Sequence, residues 1–249
     1  MAEIKATNFM VSPNAVVGNQ LTLDETESHH LYKVMRAQAG DIFYAVDGQG
    51  LKHRAVIKTI TSRCVVGEII NSTRLENEPL LKLTLAVGLC RPAKIDFIIE
   101  KGTELGVSQF VFFLSEKTVA DDKIDRAAAK KLGRWENIAA AATKQSFRTV
   151  IPEILQPIAF HDILKLPLDY HQSLIADMNH PPEKLENMLS DSPREVLLLV
   201  GPESGLTQRE AEQAIEAGFK PIKLGPRRLR VETAAILFAA LVMEKAGEI

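Results

Sequence analysis

Two short glycine-containing turns and a cluster of arginines carry most of the chemistry legible in this 249-residue chain. The first turn, Gly201-Pro202-Glu203-Ser204-Gly205, directly follows the apolar run Val196–Val200. The second, Gly225-Pro226, follows Pro221–Leu224 and starts 24 residues later. An apolar, β-branched run of that length reads as a buried parallel strand, and glycine and proline break it. Both turns therefore fall at the C-terminal ends of strands, where open α/β sheets bind their ligands. Backbone amides and carbonyls there can hydrogen-bond an adenine edge and a ribose, and glycine permits an approach that a Cβ would block. Beyond the second turn stand Arg227, Arg228 and Arg230, with Glu232 behind them. Guanidinium groups bind phosphate or a developing oxyanion, and a carboxylate can orient them. The pattern points to a nucleotide-like ligand beside an anionic substrate, with two purely structural turns as the alternative.

Other chemistries fail on spacing. Ser204 sits one place too late for a nucleophile elbow, and no histidine follows His180 to complete a triad in hydrolase order. Neither a phosphate-binding loop ending in Gly-Lys-Ser/Thr nor a dinucleotide fingerprint is present. His29 and His30 are adjacent, so they do not share a helix face, and no carboxylate or cysteine stands three or four residues after them. No metal is expected. Cys64 and Cys90 lie far apart and read as free thiols of a reducing compartment.

The elements that must hold the turns can be read around them. Thr207-Gln208-Arg209-Glu210 is a capping box, opening a helix that runs to Gly218. A last, largely apolar helix begins near Val231. Upstream, strands at Leu83–Leu89, Phe110–Leu114 and Ser173–Ala176 alternate with helices at Ala93–Leu105 and Lys123–Ser146. That alternation predicts an α/β fold with a mostly parallel sheet. Residues 1–75 differ. Short strands at Gln20–Leu23, Ile42–Val46, Ala55–Ile60 and Cys64–Ile69, with turns at Gly40-Asp41 and Asp47-Gly48, suggest a small barrel. One helix interrupts them, Glu27 to Ala37, with Leu31, Val34 and Met35 inward and His30, Lys33 and Arg36 on its other side. The polar stretch Asn71–Pro79 is the candidate linker, which gives domains at 1–75 and 76–249.

Charge is balanced, 30 basic against 32 acidic residues, so any nucleic-acid contact must come from a local patch. Between Lys117 and Arg148 there are eight Lys or Arg against four acids, which fits either a phosphate-tracking strip or a solvated helix face. The N-terminus lacks the apolar core of a signal peptide, and no run of about 18 apolar residues exists to span a membrane. A cytoplasmic location is expected.

The segments VGPESGLTQRE and LGPRRLRVETA, with HHLYKVMR, KGTELGV and RWENIAAAATKQSFR, resemble the ribosomal RNA small-subunit uridine N3-methyltransferase family (RsmE) of the SPOUT superfamily. The resemblance covers nearly the whole chain. It implies a PUA-like RNA-docking barrel followed by an α/β domain with a deep trefoil knot, which no periodicity could announce because knots are very rare. It implies S-adenosylmethionine held by loop backbones at Val200, Gly201 and Pro202; at Leu224 and Gly225; at Leu229; and at a third loop after Ala176. It implies a homodimer acting on 16S ribosomal RNA, within the small ribosomal subunit, without a metal. Uridine N3 carries a proton and is a poor nucleophile until that proton leaves. On the family's reaction, Arg230 would stabilise the uridine anion, Glu232 would orient Arg230 or its loop, and no general base is evident. Lys33, Arg36 and Arg148 are candidate phosphate contacts, and Arg228 a further substrate contact. Ser204, Arg228, Val231 and Lys144 depart from the family's usual residues. Methylation of another RNA such as tRNA, or RNA binding without catalysis, are the competing readings.

Overall fold

The structure, a computed structural model, describes residues 2–119, 131–179, 189–190 and 193–249. Most of the first half of the helix expected over 123–146, including Lys123, Arg126 and Lys130 of its basic strip, lies outside these residues, as does His180. The described chain forms two compact units, 1–78 with 140–151 and 79–139 with 152–249.

The first unit is built on a six-stranded mixed sheet. Strands β1 (Phe9–Met10), β2 (Val16–Val17), β3 (Gln20–Leu23), β4 (Ile42–Val46), β5 (Leu51–Ile60) and β6 (Val65–Arg74) take the spatial order β1-β4-β5-β6-β3-β2. β1 runs parallel to β4, and the remaining pairs are antiparallel. Alternate residues Leu21, Leu23, Phe43, Ala45, Ala55 and Ile57 point into one core with Phe9 and Leu31. β6 continues through Asn71–Arg74, into the stretch expected to be linker, because Ser72, Thr73 and Arg74 pair with His53, Lys52 and Leu51. Cross-strand pairing there overrides a polar composition.

The helix expected over Glu27–Ala37 is two pieces. α1 (Glu25–His29) is capped by Asp24, whose carboxylate accepts the Glu27 amide at 2.8 Å. The chain then widens into a π-turn over His30–Val34, with the Met35 amide donating to the His30 carbonyl at 3.0 Å. The extra residue per turn shifts the phase. Leu31 stays fully buried, but Val34, expected inward, is 62% exposed. Arg36 ends the turn with a φ of 54°, a left-handed backbone uncommon for a residue with a side chain.

Residues 140–151 join this unit through hydrogen bonds from Gly50 N to Thr149 O at 3.0 Å and from Ile151 N to Gly48 O at 3.0 Å. Glu78 anchors the same segment. Its carboxylate accepts from Arg148 Nη2 at 2.8 Å and Nε at 3.1 Å, and from the amides of Thr149 and Val150 at 2.6 and 2.9 Å. Lys144, one of the family departures, pairs with Glu27.

The second unit is a parallel sheet flanked by helices. Its elements in chain order are β7 (Lys82–Gly88), α2 (Pro92–Glu104), β8 (Gln109–Leu114), α3 (Glu116–Val119), α4 (Leu132–Gln145, which carries residues of both units), β9 (Glu153–Ile154), β10 (Ile158–Ala159), α5 (Phe160–Ile163), β11 (Gln172–Ala176), β12 (Glu195–Val200), α6 (Gln208–Glu216), β13 (Lys220–Ile222) and α7 (Val231–Lys245). The strand order is β10-β8-β7-β12-β11-β13, with β9 beside β8, and all pairings are parallel. The central strands β7, β8, β11 and β12 are buried on both faces, which explains their continuous apolar runs. Chain order and spatial order part company here. β12 is inserted between the earlier β7 and β11, and β13 returns to pair with β11.

α6 starts on the expected capping box. Thr207 Oγ1 accepts the Glu210 amide at 3.1 Å, and Glu210 Oε2 accepts the Thr207 amide at 2.8 Å. Glu210, fully buried, does more than cap: its Oε1 also accepts the Glu116 amide at 2.8 Å. One carboxylate therefore joins the start of α3 to the loop before α6. Glu210→Ala leaves two amides without their acceptor and is expected to lower stability by about 1–3 kcal/mol in urea unfolding.

Candidate functional site

The three strands at one side of the parallel sheet end together. The segments leaving β11 at Ala176, β12 at Val200 and β13 at Ile222 line one cleft of about 580 Å³. That is the size range of small-molecule sites, and the position is the C-terminal edge of the strands. All seven residues expected to hold the cofactor line it: Ala176, Val200, Gly201, Pro202, Leu224, Gly225 and Leu229. The third segment, weakly marked in sequence, is fully part of it, through Asp177, Met178 and Asn179. Asp177 Oδ1 accepts the Asn179 amide at 2.9 Å and so turns that segment across the strand end.

Close backbone packing shapes the β12 loop. A Cβ on Gly201 would stand 3.0 Å from the Leu206 amide nitrogen, so this glycine lets the loop fold back on itself. A second contact was not legible from local sequence. A Cβ on Gly88, the last residue of β7, would lie 2.5 Å from the backbone nitrogen of Pro202. Only the parallel pairing of β7 with β12 brings these two residues together. In the loop after β13 the constraint is the backbone itself, since Gly225 has a φ of 143° with open space around it. Lys117 braces the β12 loop from outside, with Nζ donating to the Ser204 carbonyl at 3.2 Å. Ser204 thus sits in a loop held by its carbonyl.

Arg227, Arg228 and Arg230 line the cleft and are exposed, a cationic rim beside the strand-end loops. Arg230 is the N-cap residue of α7, in extended conformation, with its side chain uninvolved in capping. Glu232, in the first turn of α7, does not itself line the cleft. Its Oε2 stands 3.1 Å from Lys94 Nζ, and Lys94, on α2, does line the cleft. Burial raises the Glu232 carboxyl, but its own amide, Lys94 and Arg230 outweigh this and hold it below the ordinary value. Lys94 is therefore a site residue that the motif reading missed. Its only sequence signal was a position three residues after Arg91 at the start of an amphipathic helix.

The candidate RNA contacts divide. Lys33 and Arg36 are exposed on the first unit and line a shallow depression with Tyr32, Ala37 and Gln38. Lys33 Nζ lies 5.1 Å from the centre of the Tyr32 ring. Arg148 is different. Only 3% exposed and engaged by Glu78, it is a structural cation rather than a phosphate contact. Its burial follows from the return of 140–151 to the first unit, which local sequence does not encode. Among the described residues no three His, Cys, Asp or Glu gather into a potential metal site, and no helix is long and apolar enough to cross a membrane. Cys64 and Cys90 are free thiols.

Known families match this arrangement in both halves. Residues 76–243 match the RNA methyltransferase domain family, and residues 23–70 the RNA methyltransferase PUA domain family. The chain is 32% identical over 218 residues to ribosomal RNA small subunit methyltransferase E of Bacillus subtilis, covering 84% of each chain. It is 30% identical over 242 residues to the protein of that name from Synechocystis, covering 96% of this chain and 78% of the relative. The crystal structure of the Neisseria gonorrhoeae ribosomal RNA small subunit methyltransferase E bound to S-adenosyl methionine superposes with a TM-score of 0.84 at 31% identity, covering 96% of this chain and 97% of that one. A PUA domain, a parallel α/β unit and a strand-end cleft rimmed by arginines, matched over nearly their whole length, make this chain a member of the ribosomal RNA small subunit methyltransferase E family.

Proposed function

We propose that this protein transfers the methyl group of S-adenosylmethionine to N3 of a uridine in 16S ribosomal RNA of the small subunit. The observation that carries this reading is the convergence of three strand-end loops on one cleft, with a rim of free-standing arginines. The fit to the cofactor is specific. A cleft of about 580 Å³, closed by loop backbones and by Val200, Leu206, Leu224 and Leu229, offers apolar walls and peptide groups to an adenosine. The cofactor supplies an activated methyl on sulfur, so no metal is needed. The protein's own task lies on the acceptor side. Arg230 stabilises charge on the uridine oxygens as the N3 proton departs, and Arg228 and Arg227 hold the neighbouring phosphates. Glu232 acts through Lys94 and its own helix turn. For N3 to be reached the base must be unpaired or extruded from its helix.

The finer architecture belongs to the same proposal. Insertion of β12 between β7 and β11 supports a trefoil knot through the cofactor loops. The six-stranded sheet of the first unit, closing as a PUA barrel, would dock RNA through Lys33 and Arg36. Domains divide near residue 75, with 140–151 belonging to the N-terminal one. Phe97 on α2 and Leu241 on α7, 44% and 37% exposed, support a homodimer interface. Two free thiols support a cytoplasmic enzyme.

Titration calorimetry with S-adenosylmethionine, followed by methylation of small subunits and of bare 16S RNA with mapping of the product nucleotide, tests the reading. Saturable binding and a single N3-methylated uridine are expected; product on tRNA, or none, would overturn it. Gly201→Val crowds the Leu206 amide, an overpacking worth about 1–3 kcal/mol, so the dissociation constant should rise roughly 5- to 150-fold.

A further inference from the structure

Lys94 stands where two of the three cofactor segments meet. It lies on the first turn of α2, lines the cleft, and places Nζ 2.7 Å from Glu203 of the β12 loop and 3.1 Å from Glu232 of α7. Among the described residues no donor is aligned on the buried Glu232 Oε2 for a hydrogen bond, and the Lys94 ammonium, 3.1 Å away, is what meets its charge. Behind the cluster lies Cys90, 5% exposed, its thiol pushed up to about 12 by burial and by Glu203, and therefore neutral. On the outer side Arg91 approaches Glu203 at 3.8 Å, but its side chain is 82% exposed and screened by solvent. Lys94 thus stands between two carboxylates, Glu203 in the cleft wall and Glu232 on α7.

We propose that Lys94 is a positioning residue: it clamps Glu203 to Glu232 and so fixes the β12 loop against the turn that presents Arg230. This rests on the reading of the cleft as the S-adenosylmethionine site. Without the ammonium, the two carboxylates repel. The Pro202–Glu203 segment and the start of α7 then separate, which opens the cofactor wall and displaces Arg230, two residues before Glu232. The Lys94 charge is secure in the native protein, because Glu203 first, against the opposing effect of burial, and then Glu232 hold it above its ordinary value.

The test compares Lys94→Met, which keeps the packed stem, with Lys94→Arg, using S-adenosylmethionine calorimetry from pH 5 to 8. At pH 8 Lys94→Met is expected to bind roughly tenfold more weakly than the parent, the order expected when two partly exposed carboxylates lose the cation between them. Its deficit should shrink as pH falls. In this variant Glu232 loses Lys94, one of the groups that lower its pKa, while burial continues to raise it, so its carboxyl takes up a proton at higher pH than in the parent, and that protonation removes the repulsion. Asp177, Arg227, Arg228 and Arg230 also face the cleft, but they are common to parent and variant, as is the cofactor's own titration, so the ratio of the two affinities isolates the cluster. Lys94→Arg should restore most of the affinity. A merely structural role for Lys94 would give a pH-independent deficit that arginine need not repair. Equal, pH-independent affinities for parent and Lys94→Met would overturn the clamp. Failure of the parent itself to bind would instead overturn the cofactor reading.

Discussion

Arg230→Ala is expected to slow methyl transfer by roughly 10²–10³-fold in kcat, while binding S-adenosylmethionine within a fewfold of the parent. The side chain is exposed, caps nothing and lines the cleft, so its loss removes no buried contact. Stability should change by no more than about 0.5 kcal/mol. On the proposed reaction the task is to favour a uridine anion whose charge spreads over its oxygens, and a guanidinium beside the cleft acts on the charge as it develops. Single-turnover kinetics with small subunits, paired with calorimetry, separates this from a binding defect. A fall in affinity with unchanged turnover would move Arg230 from catalysis to cofactor retention. Arg230→Lys should recover only part of the rate, because an ammonium lacks the planar fork that can reach two acceptors.

The second large effect concerns stability alone. Glu78→Ala is expected to cost about 3–5 kcal/mol, because it takes the paired carboxylate from the Arg148 guanidinium, 3% exposed, and the acceptor from the amides of Thr149 and Val150. Equilibrium unfolding in urea with intrinsic fluorescence measures it. The pair itself need not be strongly stabilising, since two charges were desolvated to make it. A double change, Glu78→Ala with Arg148→Met, should therefore be less damaging than Glu78→Ala alone. If the double variant is worse, the pair contributes net stability beyond satisfying its own buried charges.

Both expectations depend on a division between what is local and what is not. The turn chemistry was legible because it is local. Gly201-Pro202 and Gly225-Pro226 break strands wherever they occur, and Thr207 with Glu210 forms a capping box from four consecutive residues. The strands Leu83–Leu89, Phe110–Leu114, Ser173–Ala176 and Val196–Val200 and the helix Ala93–Leu105 followed from apolar runs and 3.6-residue periodicity, each within a residue of its observed ends, whereas β9, β10 and α5 are too short to show a period and were not expected. Six of the seven residues expected around the cofactor lie in the two C-terminal family motifs and line one cleft; the seventh, Ala176, lines it too but had only a weak motif.

What local pattern did not carry has one physical cause: contacts between residues far apart in the chain. Gly88 serves Pro202 only because β7 and β12 are neighbours, and β12 is inserted between strands formed from earlier sequence. Lys94 meets Glu203 and Glu232 across more than a hundred residues. Arg148 looked like part of a basic strip until Glu78 took its guanidinium into the interior. The π-turn at His30–Val34 turned Val34 outward by adding a residue to a turn that periodicity assumed regular. By itself the sequence determined which segments turn, cap and pack, since short-range sterics and hydrogen bonds act within a few residues. Which charges are buried in pairs and which remain free for RNA was decided only by the tertiary structure, because desolvation depends on everything that surrounds a group, near or far in the chain.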